Sequence, residues 1–242
     1  SSRGGNPRYK SRLDGVSPYR VMIRAAIFDL DGTLVDSNDL HVQAWQETFQ
    51  HFGKEIPVEK LREQIGKGGD QYLPVFLSEM EMREIGKQVD EFRGKIFKKK
   101  YLPQVRPFPR VRELLERVRS DGKKIALASS GKTDEVEHYK KLLGIEKLVD
   151  AQTTADDVAH SKPKADVFLA ALRGLGHLAP GEAITIGDTR YDIEAAKKID
   201  LATIALLCGG SPEDDLRDAG AIALFRDPAE MLDHYWQSPL AG

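Results

Sequence analysis

The run Ala25-Ala26-Ile27-Phe28, with Ile23 just before it, is apolar at successive positions rather than at alternate ones. A strand with one wet face alternates. An unbroken apolar run therefore predicts a strand buried on both faces, the pattern of a parallel sheet covered by helices. The run ends in Asp29-Leu30-Asp31-Gly32-Thr33-Leu34, which sets two carboxylates two residues apart where Gly32 lets the backbone turn away. In open α/β sheets, ligands bind just beyond the carboxyl ends of the strands. Two acids are costly to hold together there unless a cation or a reaction makes use of them. This strand end points to metal-assisted chemistry.

The following segment, 37–105, reads as helical. Leu40, Ala44, Trp45, Thr48 and Phe49 form one stripe over Asp39 to Phe52, with Asp36, Ser37 or Asn38 as cap. A short helix is expected from Val58 to Ile65 behind Pro57, and another capped by Asp70 and running through Leu77. A longer one is expected from Glu81 to Tyr101, ending at Pro103. From Arg106 onward, strand and helix patterns alternate. Strands are expected at Lys124 to Ala128, Leu148 to Ala151, Ala183 to Ile186, Ala202 to Leu206 and Ala221 to Phe225. Helices are expected at Val111 to Ser120, Thr133 to Leu143, Asp166 to Leu175 and Tyr191 to Ile199. The fold class predicted is α/β, a doubly wound, Rossmann-like parallel sheet with an inserted α-helical cap domain. The core takes 22–36 and 106–242, and the cap takes 37–105. Residues 1–21 are rich in Ser, Gly, Pro and Arg without a periodic apolar pattern, and read as a disordered or extraneous leader.

Composition narrows the function classes. Hydrophobic residues are 40% of the 242, which supports a sizeable core. A net charge of −2 provides no global field for nucleic acid or a membrane surface, so neither is expected as a partner. No apolar stretch approaches the ~20 residues that span a bilayer. Cys208 is the only cysteine, so no intrachain disulfide forms, and a reducing, cytoplasmic setting is expected for what is read as a monomer.

Four groups fall at strand ends or loops of the predicted core: Asp29 with Asp31, Ser129 with Ser130, Lys162, and Asp188 with Asp192. Singly, each is ordinary. An Asp after a strand commonly caps a turn, Ser-Ser-Gly is a common loop, and Lys162 before Pro163 reads equally well as a solvated charge. Together they make a phosphoryl-transfer kit. Such transfer is catalysed mainly by positioning and electrostatic stabilisation. Mg²⁺ favours oxygen ligands from one or two carboxylates, which Asp29 and Asp188 supply, while Asp192 supports the site one helical turn on. Lys162 brings a point charge, and the Ser129 hydroxyl with the backbone N–H groups after it adds anion contacts.

The chain resembles the haloacid dehalogenase-like hydrolase superfamily. Asp29-Leu30-Asp31-Gly32-Thr33 resembles its first motif, Ser129-Ser130 its second, and Ser161-Lys162-Pro163-Lys164-Ala165-Asp166-Val167-Phe168 its third. Gly187-Asp188-Thr189-Arg190-Tyr191-Asp192 resembles its fourth, in the same order along the chain. The resemblance implies that Asp29 is a nucleophile forming an aspartyl-phosphate, and that Asp31 is general acid and then general base. It also implies that Asp29, Asp188 and the Asp31 carbonyl hold Mg²⁺, with Asp192 ordering the metal shell. Ser129, Ser130 and Lys162 then bind phosphoryl oxygens.

Asp31 argues for phosphoryl transfer over dehalogenation, since the dehalogenases lack this second acid. The segment Asp36 to Trp45 resembles the caps of β-phosphoglucomutases and of sugar-phosphate phosphatases, and His41 matches a cap histidine that mutases use. It reads equally well as a hinge residue. Gly187-Asp188, where mutases tend to carry Glu-Asp, favours a phosphatase. So does the loop Gly66 to Gln71, which lacks a match to the arginine-bearing mutase loop. Lys67 in that loop is either a contact for an anionic substrate or a solvated charge. Trp45 is expected in the cap core. The expected function is Mg²⁺-dependent hydrolysis of a small phosphorylated metabolite, of phosphoglycolate or sugar-phosphate type. A phosphomutase is the alternative, and a non-catalytic binding protein on the same fold a more distant one.

Overall fold

The computed structural model describes residues 22–241. The leader expected at 1–21 lies outside them. Six strands form one parallel sheet: β1 (Ala25–Phe28), β4 (Lys124–Ala128), β5 (Ala151–Thr153), β6 (Ala183–Gly187), β7 (Ala202–Leu206) and β8 (Ala223–Phe225). Their order is β5-β4-β1-β6-β7-β8, with β1 paired to β4 on one side and to β6 on the other. Two short strands, β2 (Val35–Asp36) and β3 (Arg106–Pro107), pair antiparallel where the chain leaves the core and re-enters it.

The unbroken apolar run of β1 is explained by its central place. Ala26 and Phe28 face a cluster with Val111, Leu114, Leu115 and Val118 of helix α6 (Val111–Ser120) and with Val136 and Tyr139 of α7 (Thr133–Leu143). Ala25 and Ile27 face the opposite layer, against Val167, Phe168 and Ala171 of α8 (Asp166–Gly174) and Ala195 and Ala196 of α9 (Arg190–Lys197). All four β1 residues are fully buried. Each fully buried aliphatic or aromatic side chain of this kind contributes about 1.5–3 kcal/mol of transfer free energy. Helices α10 (Glu213–Ala219) and α11 (Pro228–Asp233) complete the layers.

Between β2 and β3 lie five helices: α1 (Asn38–His51), α2 (Val58–Arg62), α3 (Gly69–Tyr72), α4 (Glu79–Glu84) and α5 (Gly86–Ile96). They have a core of their own, in which Val42, Trp45, Phe49, Leu61, Tyr72, Leu73 and Val89 pack together. Trp45 stacks on Tyr72 with ring centroids 4.4 Å apart, so it belongs to this core.

Several boundaries differ from the sequence expectation. The long helix expected from Glu81 to Tyr101 is broken at Ile85 (φ −129°), where Gly86 opens a second helix. Its last turn, Phe97–Tyr101, is a π-helix. Ser78 starts α4 with a capping box to Glu81, which carries the start back two residues. The edge strand expected at Leu148 to Ala151 begins at Ala151, because pairing to β4 matches Ala151 with Ala126 while Leu148 and Val149 pack from the preceding loop. The cap of α3 is Gly68 rather than Asp70, and the Asp70 carboxylate accepts hydrogen bonds from Ser161 across to the core instead.

Candidate active site

β1 delivers Asp29 and Asp31 to the carboxyl edge of the sheet. The Asp29 N–H donates to the Ile186 carbonyl at 2.9 Å, so the neighbouring strand still holds this backbone after β1 ends. Leu30 between the acids is fully buried, which fixes the direction of both carboxylates. Gly32, at φ +75°, turns the chain, and its N–H donates to the Val35 carbonyl at 2.8 Å.

Asp188 follows β6 and is completely buried. Thr33 Oγ1 donates to its Oδ1 at 3.1 Å, and Asn38 Nδ2 donates to its Oδ2 at 2.8 Å. Asp192 caps its own helix, accepting at Oδ2 from the Thr189 hydroxyl (2.7 Å) and N–H (3.1 Å). Its other oxygen lies 2.7 Å from Lys162 Nζ. Lys162 is 1% exposed, and donates to Asp29 Oδ1 at 2.5 Å and to the Ala128 carbonyl at 2.8 Å. An ammonium this deep stays charged only because paired acids outweigh burial: burial lowers its pKa, while Asp192 and Asp29 raise it further.

Asp29, Asp188 and Asp192 each offer an oxygen within 4.8 Å of the others. Burial pushes the Asp29 carboxyl up to about 7, against the pull of Lys162 and with Asp192 and Asp31 adding to the rise. Burial, then the charges of Asp192 and Asp29, likewise carry Asp188 well above the carboxylate range, opposed by the bonds from Asn38 and Thr33. Three buried carboxylates thus share one ammonium. An all-oxygen donor set with excess negative charge is chemically suited to a hard divalent cation.

Asp31 sits in different surroundings. Its Oδ1 accepts from Ser37 Oγ at 2.6 Å and contacts His41 Nε2 at 2.8 Å. Ser37, expected as a possible helix cap, makes no cap hydrogen bond with its side chain and serves this acid instead. Burial raises the Asp31 carboxyl, but the charge of His41 and the bonds from His41 and Ser37 outweigh it and hold the pKa at about 2. On the far side of the ring, Arg93 Nη2 lies 2.5 Å from His41 Nδ1. Arg93 Nη1 in turn lies 3.6 Å from the buried Glu135 of α7.

Ser129 ends β4 with its hydroxyl accepting from the Gly131 N–H at 2.9 Å. Ser130 turns toward the cap, its hydroxyl donating to the Gly66 carbonyl at 3.2 Å. Lys67 donates to Gln64 Oε1 at 2.6 Å and lies 4.7 Å from the centroid of the Tyr191 ring. A cavity of about 50 Å³ lies between Asp29 and Asp31 below and His41, Lys67 and Arg93 above. It adjoins one of about 280 Å³ reaching out past Asp70, Asp90 and Lys132.

The structure therefore brings Asp29, Lys162, Asp188 and Asp192 into one buried cluster, with Asp31 and His41 beside it and Ser129 at the adjoining strand end. Lys67 lines the cavity above, and Ser130 joins loop to loop. Arg93, Glu135 and the Asp188 contact of Asn38 were missed from sequence. Arg93 lies in a highly charged helix and Glu135 among the acids that suit a helix N-terminus, so neither carries a local signal.

The sequence model of the haloacid dehalogenase-like hydrolases matches residues 26–206. The chain belongs to this family. It is similar to a phosphorylated carbohydrates phosphatase of Thermotoga maritima, 28% identical over 87% of this chain and 97% of that one. It is also similar to the pyrophosphatase PpaX of Bacillus velezensis, 30% identical over 72% of this chain and 79% of that one. Among solved structures, a hydrolase from Pseudomonas syringae superposes with a TM-score of 0.82 at 30% identity, covering 88% of this chain and 98% of the other. The chain is thus a hydrolase of the haloacid dehalogenase-like family, with named phosphatases among its relatives.

Proposed function

We propose that this hydrolase is a Mg²⁺-dependent phosphatase that cleaves small phosphate monoesters through an aspartyl-phosphate. The observation that carries the reading is the Asp29–Lys162 contact at 2.5 Å, inside a cluster of three carboxylates at the carboxyl edge of the sheet. Asp29 and Asp188, with the Asp31 carbonyl, are the residues to hold Mg²⁺, which would offset the charge of the phosphoryl oxygens. Lys162 turns from Asp29 toward those oxygens, and Ser129 binds another.

Asp29 attacks phosphorus as the ester P–O bond breaks, and the leaving oxygen takes a proton from Asp31. Water then attacks the phosphoryl group, the bond to Asp29 breaks, and Asp31 accepts the water's proton. With its pKa at about 2, Asp31 is ionised at neutral pH, the form this second step uses. The first step uses the protonated form, which the second step regenerates: the proton Asp31 takes from water in one turnover is the one it gives to the leaving oxygen in the next. His41 orients Asp31 through the 2.8 Å contact of its Nε2 with Oδ1.

The cavity above Asp29 favours small leaving groups, and its cationic rim of Lys67 and Arg93 suits polar or anionic ones. The His41–Asp31 contact also supports a second reading, a phosphomutase in which the phosphoryl group is passed back to a sugar. Phosphate release from a panel including phosphoglycolate, hexose phosphates and pyrophosphate, run with Mg²⁺, tests the first reading. Release concentrated in one class supports it. Isomerisation of β-glucose 1-phosphate without net release would replace it with the mutase.

A further inference from the structure

Asn38 is the first residue of α1, so it moves with the cap, yet both partners of its amide nitrogen belong to the core. Nδ2 donates to Asp188 Oδ2 at 2.8 Å and to the Gly209 carbonyl at 2.9 Å. Both partners are acceptors, so the orientation of the amide is fixed by chemistry: the NH₂ must face them. Its Oδ1 is then buried without a donor from the protein, although the residue is only 7% exposed. Asn38 lines a cavity of about 540 Å³ between α2 and the segment 209–212.

The surroundings are built around this contact. An added Cβ at Gly32 would come within 2.2 Å of both Asn38 Nδ2 and Asp188 Oδ2, and one at Gly209 within 1.8 Å of Asp188 Oδ2. Only glycine at both places lets the amide and the carboxylate meet. A helix-capping role does not account for it, because α1 has no side-chain cap bond and Asn38 donates away from its own helix.

We propose that Asn38 is a positioning residue of the metal centre: its amide holds Asp188 in the ligating orientation, and does so only while the cap is seated. The inference rests on the metal-dependent reading above and adds a link that reading lacks. A carboxylate with one oxygen pinned by Asn38 and the other by Thr33 has its rotation fixed before a cation arrives, which lowers the entropy lost on binding. Since the donor sits on the cap, a bound cation in turn favours the seated cap, by reciprocity of coupled equilibria.

Calorimetric titration of the full chain with Mg²⁺ alone tests this, comparing the wild type with Asn38→Leu, which keeps shape and neutrality but removes both donors. We expect Mg²⁺ affinity to fall about tenfold or more, the scale of losing an outer partner of a metal ligand. The melting temperature in chelator should fall modestly, since two acceptors lose their donor, with the fold retained. With p-nitrophenyl phosphate, the half-saturating Mg²⁺ concentration should rise by a similar factor while KM for the ester at saturating Mg²⁺ holds. A merely structural residue would not produce that split. Equal Mg²⁺ affinity in the two proteins overturns the proposal and leaves the metal-dependent reading standing. No Mg²⁺ binding by the wild type overturns both. Should Asn38→Leu not fold, Asn38→Ala takes the same titration under the same criteria.

Discussion

Gly209 marks how little room surrounds the buried carboxylates. An alanine there would place Cβ 1.8 Å from Asp188 Oδ2, and the nearest atoms that must yield are those of Asp188 itself. Gly209→Ala is therefore expected to displace this carboxylate and weaken turnover by at least about tenfold, as for other lost supports of a metal ligand. Phosphate release across a Mg²⁺ series measures it, and wild-type activity at low Mg²⁺ would contradict the placement of Asp188. At this scale Asp29, Ser129 and Asp188 were legible because each follows an apolar run. Asp29 ends one strand, Ser129 another and Asp188 a third, so a linear pattern already puts them at one edge. Ser37, Asn38 and Asp70 were legible only as possible caps. A side chain that bonds across 91 or 150 positions of sequence, as Asp70 and Asn38 do, leaves no trace in local spacing.

Between elements, the decisive contacts run from α1 and α5 of the cap to the β1 edge and α7 of the core. Asp31, His41, Arg93 and Glu135 form one chain across that boundary. Glu135 is 1% exposed and its nearest cation is Arg93, so removing the guanidinium leaves a buried acid unpaired. Such a loss commonly costs about 3–5 kcal/mol. Because Arg93 lies on the inserted helices and Glu135 on the core, Arg93→Leu is expected to loosen the cap rather than unfold the core. Faster proteolysis within 63–70, with the core fragment still folded, is the predicted result. Unchanged proteolysis would show that this chain does not hold the cap. The pairing of Arg93 with Glu135 could not be read from sequence, since only the tertiary fold brings these two side chains together. The break at Ile85 was closer to hand: Gly86 interrupts the expected helix, and the Ser78–Glu81 capping box lies just upstream.

The whole molecule balances charges that it cannot hydrate. Asp29 keeps its proton to about pH 7 when folded, against 3.8 for the ordinary carboxyl, and Asp188 shifts in the same direction. Folding therefore takes up protons in this window. The stability these groups contribute is full below 3.8 and is lost as pH rises through about 7. Asp31 has the opposite sign: its contribution is present above 3.8 and disappears as pH falls toward about 2. In chelator, the protein is accordingly expected to melt lower at about pH 8 than at about pH 5. Mg²⁺ should raise the melting point more at the higher pH, where no protons compete for the carboxylates. Calorimetry at both values checks this, and a Mg²⁺ effect that shrinks with rising pH would count against the acidic cluster as the cation's place.

Asp29 as nucleophile is tested by phosphate release from Asp29→Asn beside the wild type, with Mg²⁺ and a small phosphate monoester. The substitution keeps the size of the side chain and leaves Lys162 paired with Asp192. No turnover above background is expected, at an unchanged melting temperature. Release near the wild-type rate from the folded variant would contradict it and remove the aspartyl-phosphate from the mechanism.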